Sequence, residues 1–244
     1  MKSDLDRLMK ENKLDVLLVV GNAQHNPAMV YFTGGGHIND AILIKKYKQE
    51  PVLFCYPMER EEAARTGLKV VSFSKYPLTD FLTEAAGNQA EAMALRLKKI
   101  LIDQGITSGR VGIYGEREVG SFYSLISRVQ QLLPKLFFEG FFKDEILLNA
   151  MMTKEPQELE RIRAMGKVTV DVVGKTADFL TGQKTKNGLL VHKDGSPITI
   201  GEVKRLINLW LSEHGAENPE GTIFAIGHDA GVPHSTGTAS DALR

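Results

Sequence analysis

The chain has 244 residues, 43% of them hydrophobic and 25% charged, which excludes collagen-like, disordered and disulfide-scaffold proteins. Thirty basic residues balance thirty acidic ones, so charge gives no reason to expect a nucleic acid or an anionic membrane as a partner. No apolar run approaches the roughly 20 residues that span a bilayer, and the polar start MKSDLDRLMKENK has no signal-peptide core. Because Cys55 is the single cysteine, no intrachain disulfide can form, and we expect a cytoplasmic protein.

The first 150 residues alternate between helix-like and strand-like patterns. A short amphipathic helix precedes the apolar run at 16–20, whose lack of alternation predicts a strand covered on both faces. Residues 41–44 and 52–55 predict a hairpin. Further helices are predicted at 58–66, 91–104 and 119–133, and further strands at 69–73, 110–115 and 135–140. Alternation with short connections predicts a layered α/β fold with a mixed sheet.

The strongest helical pattern in the sequence begins near residue 152. Pro156 suits the first turn of a helix, and apolar residues then recur every three or four positions, at Leu159, Ile162, Met165, Val168, Val172 and Phe179. We predict a polar loop at 181–197, a helix from Ile200 to Ser212 and an apolar strand at 222–227. The change in pattern places a domain boundary at about residue 150, which gives domains 1–150 and 151–244.

The segment AIGHDAGVPHSTG, residues 225–237, is the best candidate for a functional site. It follows the predicted strand 222–227 and carries His228, Asp229, His234 and Ser235 on irregular backbone, where catalytic groups often lie. Imidazole can act as a general acid or base, a metal ligand or a donor to an oxyanion. Two alternatives stay open: an ordinary polar loop, and a metal site with His228, Asp229 and His234 as three ligands.

Other candidate groups have simpler explanations. The tract Gly34–Gly35–Gly36–His37 does not open a helix, as a phosphate-binding loop would, so we predict a turn between strands. Cys55 lies in an apolar strand, which predicts a buried and inert thiol. Ser235 and Ser240 lie outside any G-x-S-x-G sequence. The residues alone therefore indicate a two-unit α/β protein with one histidine-bearing loop.

Three motifs, in the same order along the chain, resemble those of one known family. AIGHDAGVPHSTG resembles the segment of the creatinase/prolidase/aminopeptidase P family, the pita-bread metallopeptidases, that carries a histidine after a proline. MMTKEPQELERIRAMGKV is similar to the interdomain signature of that family, and NPAMVYFTGG is similar to a segment of its N-terminal domain. Within the family, the sequence looks most like a bacterial Xaa-Pro aminopeptidase or prolidase.

The resemblance implies a fold and an activity. A creatinase-type N-terminal domain, a mixed sheet flanked by helices, would be followed by an incomplete N-terminal part of an α+β pita-bread catalytic domain. The activity would be that of a metallo-aminopeptidase or prolidase acting on proline-containing peptides, with two divalent ions (Mn, Co or Zn) activating a water. By this resemblance, His234 would bind the substrate and stabilise the tetrahedral intermediate, without ligating metal. Family members commonly form homodimers, and the loop 34–39, with His37, would reach towards the neighbouring active site.

The sequence departs from the family in one respect. The five metal ligands of the family lie downstream of the His234 motif, whereas only ten residues follow His234 here, and Asp241 cannot replace five ligands. We therefore expect a piece of a longer metallopeptidase that is inactive alone, binds no catalytic metal pair and leaves apolar faces uncovered. Two alternatives remain: a non-catalytic pita-bread binding module, and a creatinase-type hydrolase of a C–N bond.

Overall fold

The computed structural model describes residues 4–244, which form two units. Unit 1 ends at Thr153, and unit 2 spans Lys154–Arg244. None of the helices among the described residues is long and apolar enough to cross a membrane.

Unit 1 is built on a six-stranded mixed sheet with the order β4-β3-β2-β1-β5-β6. Its strands are Val16–Gly21 (β1), Ala41–Lys46 (β2), Val52–Cys55 (β3), Lys69–Ser72 (β4), Gly109–Gly115 (β5) and Leu136–Glu139 (β6). Strand β2 pairs antiparallel with both β1 and β3, which confirms the predicted hairpin. The other pairs are parallel, so the carboxyl ends of the five strands other than β2 lie at one edge of the sheet, called the carboxyl edge below.

Helices cover both faces of this sheet. They are Leu5–Glu11 (α1), Pro27–Thr33 (α2), Arg60–Arg65 (α3), Leu78–Glu84 (α4), Gln89–Asp103 (α5), Val119–Leu132 (α6) and Leu147–Met152 (α7). On β1, Leu17 and Val19 pack with α1, α2, α3 and α7. Val16, Leu18 and Val20 pack on the opposite face with α5 and α6. The unbroken apolar run of β1 is therefore explained by burial on both faces, and the predicted mixed α/β sheet flanked by helices is confirmed.

The motif NPAMVYFTGG forms helix α2 and its two ends. Asn26 is buried and caps the helix: its side-chain oxygen accepts the Met29 N–H at 3.3 Å, while its amide donates to the carbonyl of Val20 at 2.9 Å. Pro27 occupies the first turn, where its missing N–H costs no hydrogen bond. Gly34 ends the helix with a φ of 77°, a left-handed conformation that favours glycine. The motif thus fixes α2 to the carboxyl end of β1.

Unit 2 is formed by two helices and a small hairpin, Pro156–Thr181 (α8), Lys184–Lys186 (β7), Leu189–Val191 (β8) and Ile200–Glu213 (α9). Helix α8 begins with a capping box, in which the side chain of Glu158 accepts the N–H of Glu155 at 2.9 Å, and Pro156 lies in its first turn as predicted. The core of unit 2 consists of Val172, Ile198, Ile200, Val203, Ile207 and Leu243.

Two sequence predictions for unit 2 are wrong. Residues 222–227 form no strand, because none of the other described segments pairs with them in a ladder, and a strand needs a partner to be stable. The predicted polar loop contains the β7–β8 hairpin, whose turn residues Asn187 and Gly188 have φ values of 52° and 75°. As expected, the apolar stripe on α8 is left partly uncovered: its second half joins the core of unit 2, whereas Ile162 and Met165 in its first half are 54% and 51% exposed.

Candidate functional site

Residues 225–237, called the histidine segment below, have irregular backbone that is held at two points. The ammonium of Lys204, on α9, donates a hydrogen bond to the carbonyl of Thr236. The hydroxyl of Thr238 donates to the carboxylate of Asp229 at 3.3 Å. The first contact joins the segment to α9, and the second links Asp229 to the residue that follows the segment, although the segment belongs to no strand or helix longer than a single turn.

The two imidazoles of the histidine segment face solvent. His234 is exposed and has a φ of 65°, an unusual conformation for a residue with a side chain, and its imidazole makes no hydrogen bond with a described residue. His228 is 91% exposed, and its Nδ1 lies 3.9 Å from the Asp229 carboxylate. The segment therefore presents two imidazole groups that a ligand could contact directly, and that of His234 has no partner among the described residues to displace.

The structure does not assemble the three-ligand metal site that the spacing left open. Nowhere in residues 4–244 do three or more His, Cys, Asp or Glu side chains form a group that could hold a metal ion. The residues of this chain consequently do not fit the two-ion centre that the family resemblance implies, and we derive no catalytic step through metal.

Unit 2 also contains a His–carboxylate pair that the sequence did not reveal. Nε2 of His192 lies 2.9 Å from Oε2 of Glu202, and both side chains are about one-third exposed or less. Glu202 is in the first turn of α9, where its N–H donates to Thr199. Such a pair fixes the orientation of an imidazole. Its two residues come from a loop and a helix, so no short sequence motif predicts the pair. The sequence feature nearest to it is Thr199, which caps the start of α9.

A second His–carboxylate pair joins the two helices of unit 2. Nε2 of His214, just after α9, lies 2.8 Å from the carboxylate of Asp171 on α8. Hydrogen bonds from Lys175 first and from His214 second lower the pKa of Asp171. The pair is therefore a contact between helices, and we assign it a structural role.

The other groups singled out from the sequence are placed as follows. The glycine tract connects α2 to β2, a helix-to-strand connection and not the predicted turn between strands, and His37 on it is exposed. Two residues beyond the tract, the N–H of Asn39 donates to the side chain of Glu59, the residue just before α3, at 2.6 Å. Cys55 is 1% exposed, as predicted. Burial first, and the charge of Glu59 second, raise the pKa of its thiol.

Comparison with solved structures finds the same fold in three proteins whose names describe them as peptidases. The chain aligns over 100% of its length with an X-Pro aminopeptidase from Thermotoga maritima (17% identity, TM-score 0.62) and covers 58% of that protein. It aligns equally fully with a dipeptidase from Pyrococcus horikoshii (15%, TM-score 0.64, 58% covered). A recombinant prolidase from Thermococcus sibiricus gives similar values (14%, TM-score 0.59, 57% covered). At these identities the likeness establishes the fold, including that of unit 2.

Comparison at the level of sequence gives the family. The chain spans less than two-thirds of the length of the solved proteins that it resembles, and no curated protein sequence matches it. The sequence model of the Creatinase/Prolidase N-terminal domain matches residues 2–137, which is more than half of the chain. The resemblance and fold class predicted from the motifs are thereby confirmed: the chain belongs to the creatinase/prolidase N-terminal domain family.

Proposed function

We propose that these residues supply the N-terminal part of a metal-dependent exopeptidase that hydrolyses Xaa-Pro bonds, of the aminopeptidase P or prolidase type. One observation carries the proposal: the whole chain, both units included, follows the fold of proteins named X-Pro aminopeptidase and prolidase. Family membership over residues 2–137 supports it independently of unit 2. Because the chain covers 58% of the first of these proteins, the activity belongs to the gene product that contains these residues.

His234 is the residue to which we assign a catalytic role in that gene product. Its exposed imidazole can donate a hydrogen bond to the carbonyl oxygen of the scissile bond. As the tetrahedral intermediate forms, negative charge develops on that oxygen, and the hydrogen bond strengthens. The hydrogen bond from Lys204 on α9 to Thr236, two residues after His234, supports this assignment, because a donor stabilises a transition state only when the backbone that carries it is held in place.

The proposed metal dependence rests on the family resemblance alone. Two divalent ions, Mn, Co or Zn, would activate the attacking water of the gene product. Their ligands are absent from the described residues, so we expect residues 1–244 by themselves to show no stoichiometric Mn²⁺ binding in calorimetry and no turnover of Xaa-Pro peptides. Either signal from the isolated 244 residues would contradict this part of the proposal.

The gene product should be assayed on three substrates, an Xaa-Pro-Xaa tripeptide, the dipeptide Ala-Pro and creatine. Turnover of the tripeptide indicates an aminopeptidase, and turnover of the dipeptide indicates a prolidase. Turnover of creatine alone would replace the proposal with a creatinase-type hydrolase. If the folded gene product turns over none of the three, with or without added Mn²⁺, the proposal fails in favour of a non-catalytic binding module.

Two variants test the assignment of His234 within this assay. His234→Ala should lower kcat by about 10²–10³-fold, the usual effect of removing one oxyanion donor. His228→Ala, in the same exposed segment, should stay within a few-fold of the parent, because His228 has no role in the proposed chemistry. Equal losses in both variants would instead indicate that the segment acts through its structure, and an unchanged H234A would remove the assignment.

We also propose that the gene product is a cytoplasmic homodimer. The pairing rests on the family resemblance, and the single buried cysteine is compatible with a reducing compartment. Light scattering coupled to size exclusion gives the oligomeric state directly. If His37 reaches a neighbouring active site, then His37→Ala should change the kinetics of the dimer, and unchanged kinetics would remove this role.

A further inference from the structure

Unit 1 contains a small cavity at the carboxyl edge of its sheet. Apolar side chains from β2, α5 and α6 and the aromatic rings of Tyr56 and Phe73 form most of its wall, and the charged residues Asp40, Arg96 and Arg117 complete it. Its volume is about 30 Å³, enough for about two water molecules. The carboxyl ends of parallel strands are where ligands commonly bind in α/β sheets. The cavity uses no residue of the histidine segment and lies outside the function proposed above.

Arg96 is the unusual member of this wall. It lies on α5 and is only 5% exposed. Its guanidinium carbon is 4.3 Å from the centre of the Phe73 ring and 5.7 Å from that of Tyr56. Its Nε is buried without a hydrogen-bond partner, and none of the described residues forms an ion pair with it. A buried guanidinium is therefore held against two aromatic rings, with donors that nothing in the described chain accepts.

The second arginine of the cavity, Arg117, contributes no unpaired charge. Arg117 forms an ion pair with Asp40, and the N–H of Asp40 donates to the side chain of Asn22 at 3.1 Å. The charges of Arg117 and Asp40 cancel, so the cavity carries one net positive charge, that of Arg96. Aromatic rings offset only part of the cost of removing a cation from water. The remaining cost is removed most directly by an anion.

We propose that this cavity binds the carboxylate group of a small organic acid, with Arg96 as its counter-ion. The planar guanidinium matches the geometry of a carboxylate, because two of its N–H groups can donate to the two oxygens in parallel. The cavity has room for little more than the carboxylate group itself, and the apolar wall contacts the carbon atom that bears it. A phosphate dianion is disfavoured, because the same wall would strip its water and the single net positive charge of the cavity would balance only one of its two charges.

Binding is tested on the 244-residue chain with sodium acetate as the probe, titrated against sodium chloride at constant ionic strength. The melting temperature should rise with the logarithm of the acetate concentration above the dissociation constant, by about 5–10 °C at one hundred times that constant. In a ¹⁵N-edited spectrum, one arginine Nε–H signal should shift saturably, with the same dissociation constant. That signal should be missing in Arg96→Lys, which assigns it.

Two charge-matched variants separate binding at the cavity from a general effect of salt. Arg96→Met removes the buried cation and should abolish both the thermal shift and the saturable curve. Lys98→Met removes one positive charge from the same helix, at a half-buried position outside the cavity wall, and should retain both. Because the readout is the response to acetate at each variant's own melting temperature, a loss of basal stability in R96M leaves the test intact.

Three results would overturn the proposal. Equal responses to acetate and chloride would mean that the cavity does not select a carboxylate. A response to phosphate that exceeds the response to acetate would refute the carboxylate assignment. If the assigned Nε–H signal stays fixed in the parent chain while the melting temperature rises, acetate binds elsewhere. None of these results depends on peptidase activity, so they are independent of the function proposed above.

Discussion

A buried lysine links helix α1 to strand β2 and gives the sharpest stability prediction for this chain. The side chain of Lys45 is 0% exposed, and its ammonium lies 2.5 Å from Oδ1 of Asp6, whose own side chain is 25% exposed. The ammonium also donates to the carbonyl of Lys46 at 2.9 Å, and Oδ1 of Asp6 accepts the N–H of Lys48 at 2.9 Å. Removing the carboxylate therefore leaves a charge in the interior with a single neutral acceptor.

The two halves of this pair should respond unequally to substitution. Asp6→Ala leaves an uncompensated buried cation, which costs about 3–5 kcal/mol, and we expect the lower end because water can reach the position of Asp6. In melting temperature this corresponds to a decrease of about 6–12 °C. Lys45→Met removes the charge and keeps most of the apolar stem, while Asp6 retains the Lys48 N–H and its contact with water. We expect a loss of about 1 kcal/mol for this variant.

The pH dependence of Asp6→Ala follows from the pKa of the carboxylate. Burial acts to raise the pKa of Asp6, but the hydrogen bonds and charges of Lys45 and Lys48 outweigh it and hold the pKa below its ordinary value. A carboxylate with a lowered folded-state pKa stabilises the fold fully above its unfolded pKa of about 4. That contribution is lost as the pH falls through the folded-state pKa. The difference between parent and D6A should therefore be largest at neutral pH and shrink below about pH 4.

Urea denaturation followed by circular dichroism measures these differences, with the double variant D6A/K45M completing the cycle. The double variant should be close to K45M alone, because the buried cation that penalises D6A is gone. Glu11→Gln, in the exposed Arg7–Glu11 pair, is the control and should show no measurable loss. If D6A is no more destabilising than K45M, or if the double variant shows the sum of both losses, the ammonium is not an uncompensated charge and the reasoning is wrong.

Three further predictions concern the first unit. Asn26→Ala should lower the free energy of unfolding by about 1–2 kcal/mol in urea denaturation, because it removes a helix cap and one of the two donors to the buried carbonyl of Val20, which keeps the N–H of Glu116; a loss below about 0.5 kcal/mol would refute the role of Asn26. Gly115→Ala should lower the free energy of unfolding by more than about 3 kcal/mol, because its Cβ would stand 2.0 Å from the Val20 carbonyl oxygen. Gly35→Ala is the control: no atom lies within 4 Å of its Cβ position, so it should lower that free energy by only about 1 kcal/mol. Equal losses in the two variants would contradict the steric argument. Cys55 should react with a thiol reagent at pH 8 no faster than unit 1 opens, and rapid labelling of the folded chain would show that the thiol is accessible.

The strands of unit 1 could be predicted because each is marked by its own short run of apolar residues. An unbroken apolar run predicts β1, because helices cover both of its faces and the run does not depend on which helices they are. The same rule failed at 222–227, where the apolar residues pack against the core of unit 2 without a neighbouring strand. Apolar character predicts burial, whereas a strand also requires a partner for its backbone, and that partner is a property of the whole fold. The β7–β8 hairpin, in contrast, could have been predicted from the sequence, because Asn187–Gly188 is a strong local signal for a hairpin turn.

The two candidate sites differ in the same way: one could be predicted from neighbouring residues in the sequence, and the other depends on residues that are distant in the sequence. His234 could be found because its neighbours in the sequence, a proline, a serine and several glycines, mark irregular exposed backbone. Arg96 could not, because a charged residue on an amphipathic helix ordinarily belongs to the solvent face. Its burial depends on Phe73 and Tyr56, which lie more than 20 residues earlier in the chain and meet it only after the sheet and α5 have packed. The cost of burying its charge appears nowhere in the local sequence, so a cationic cavity of this kind can be recognised only once the three elements that enclose it are in place.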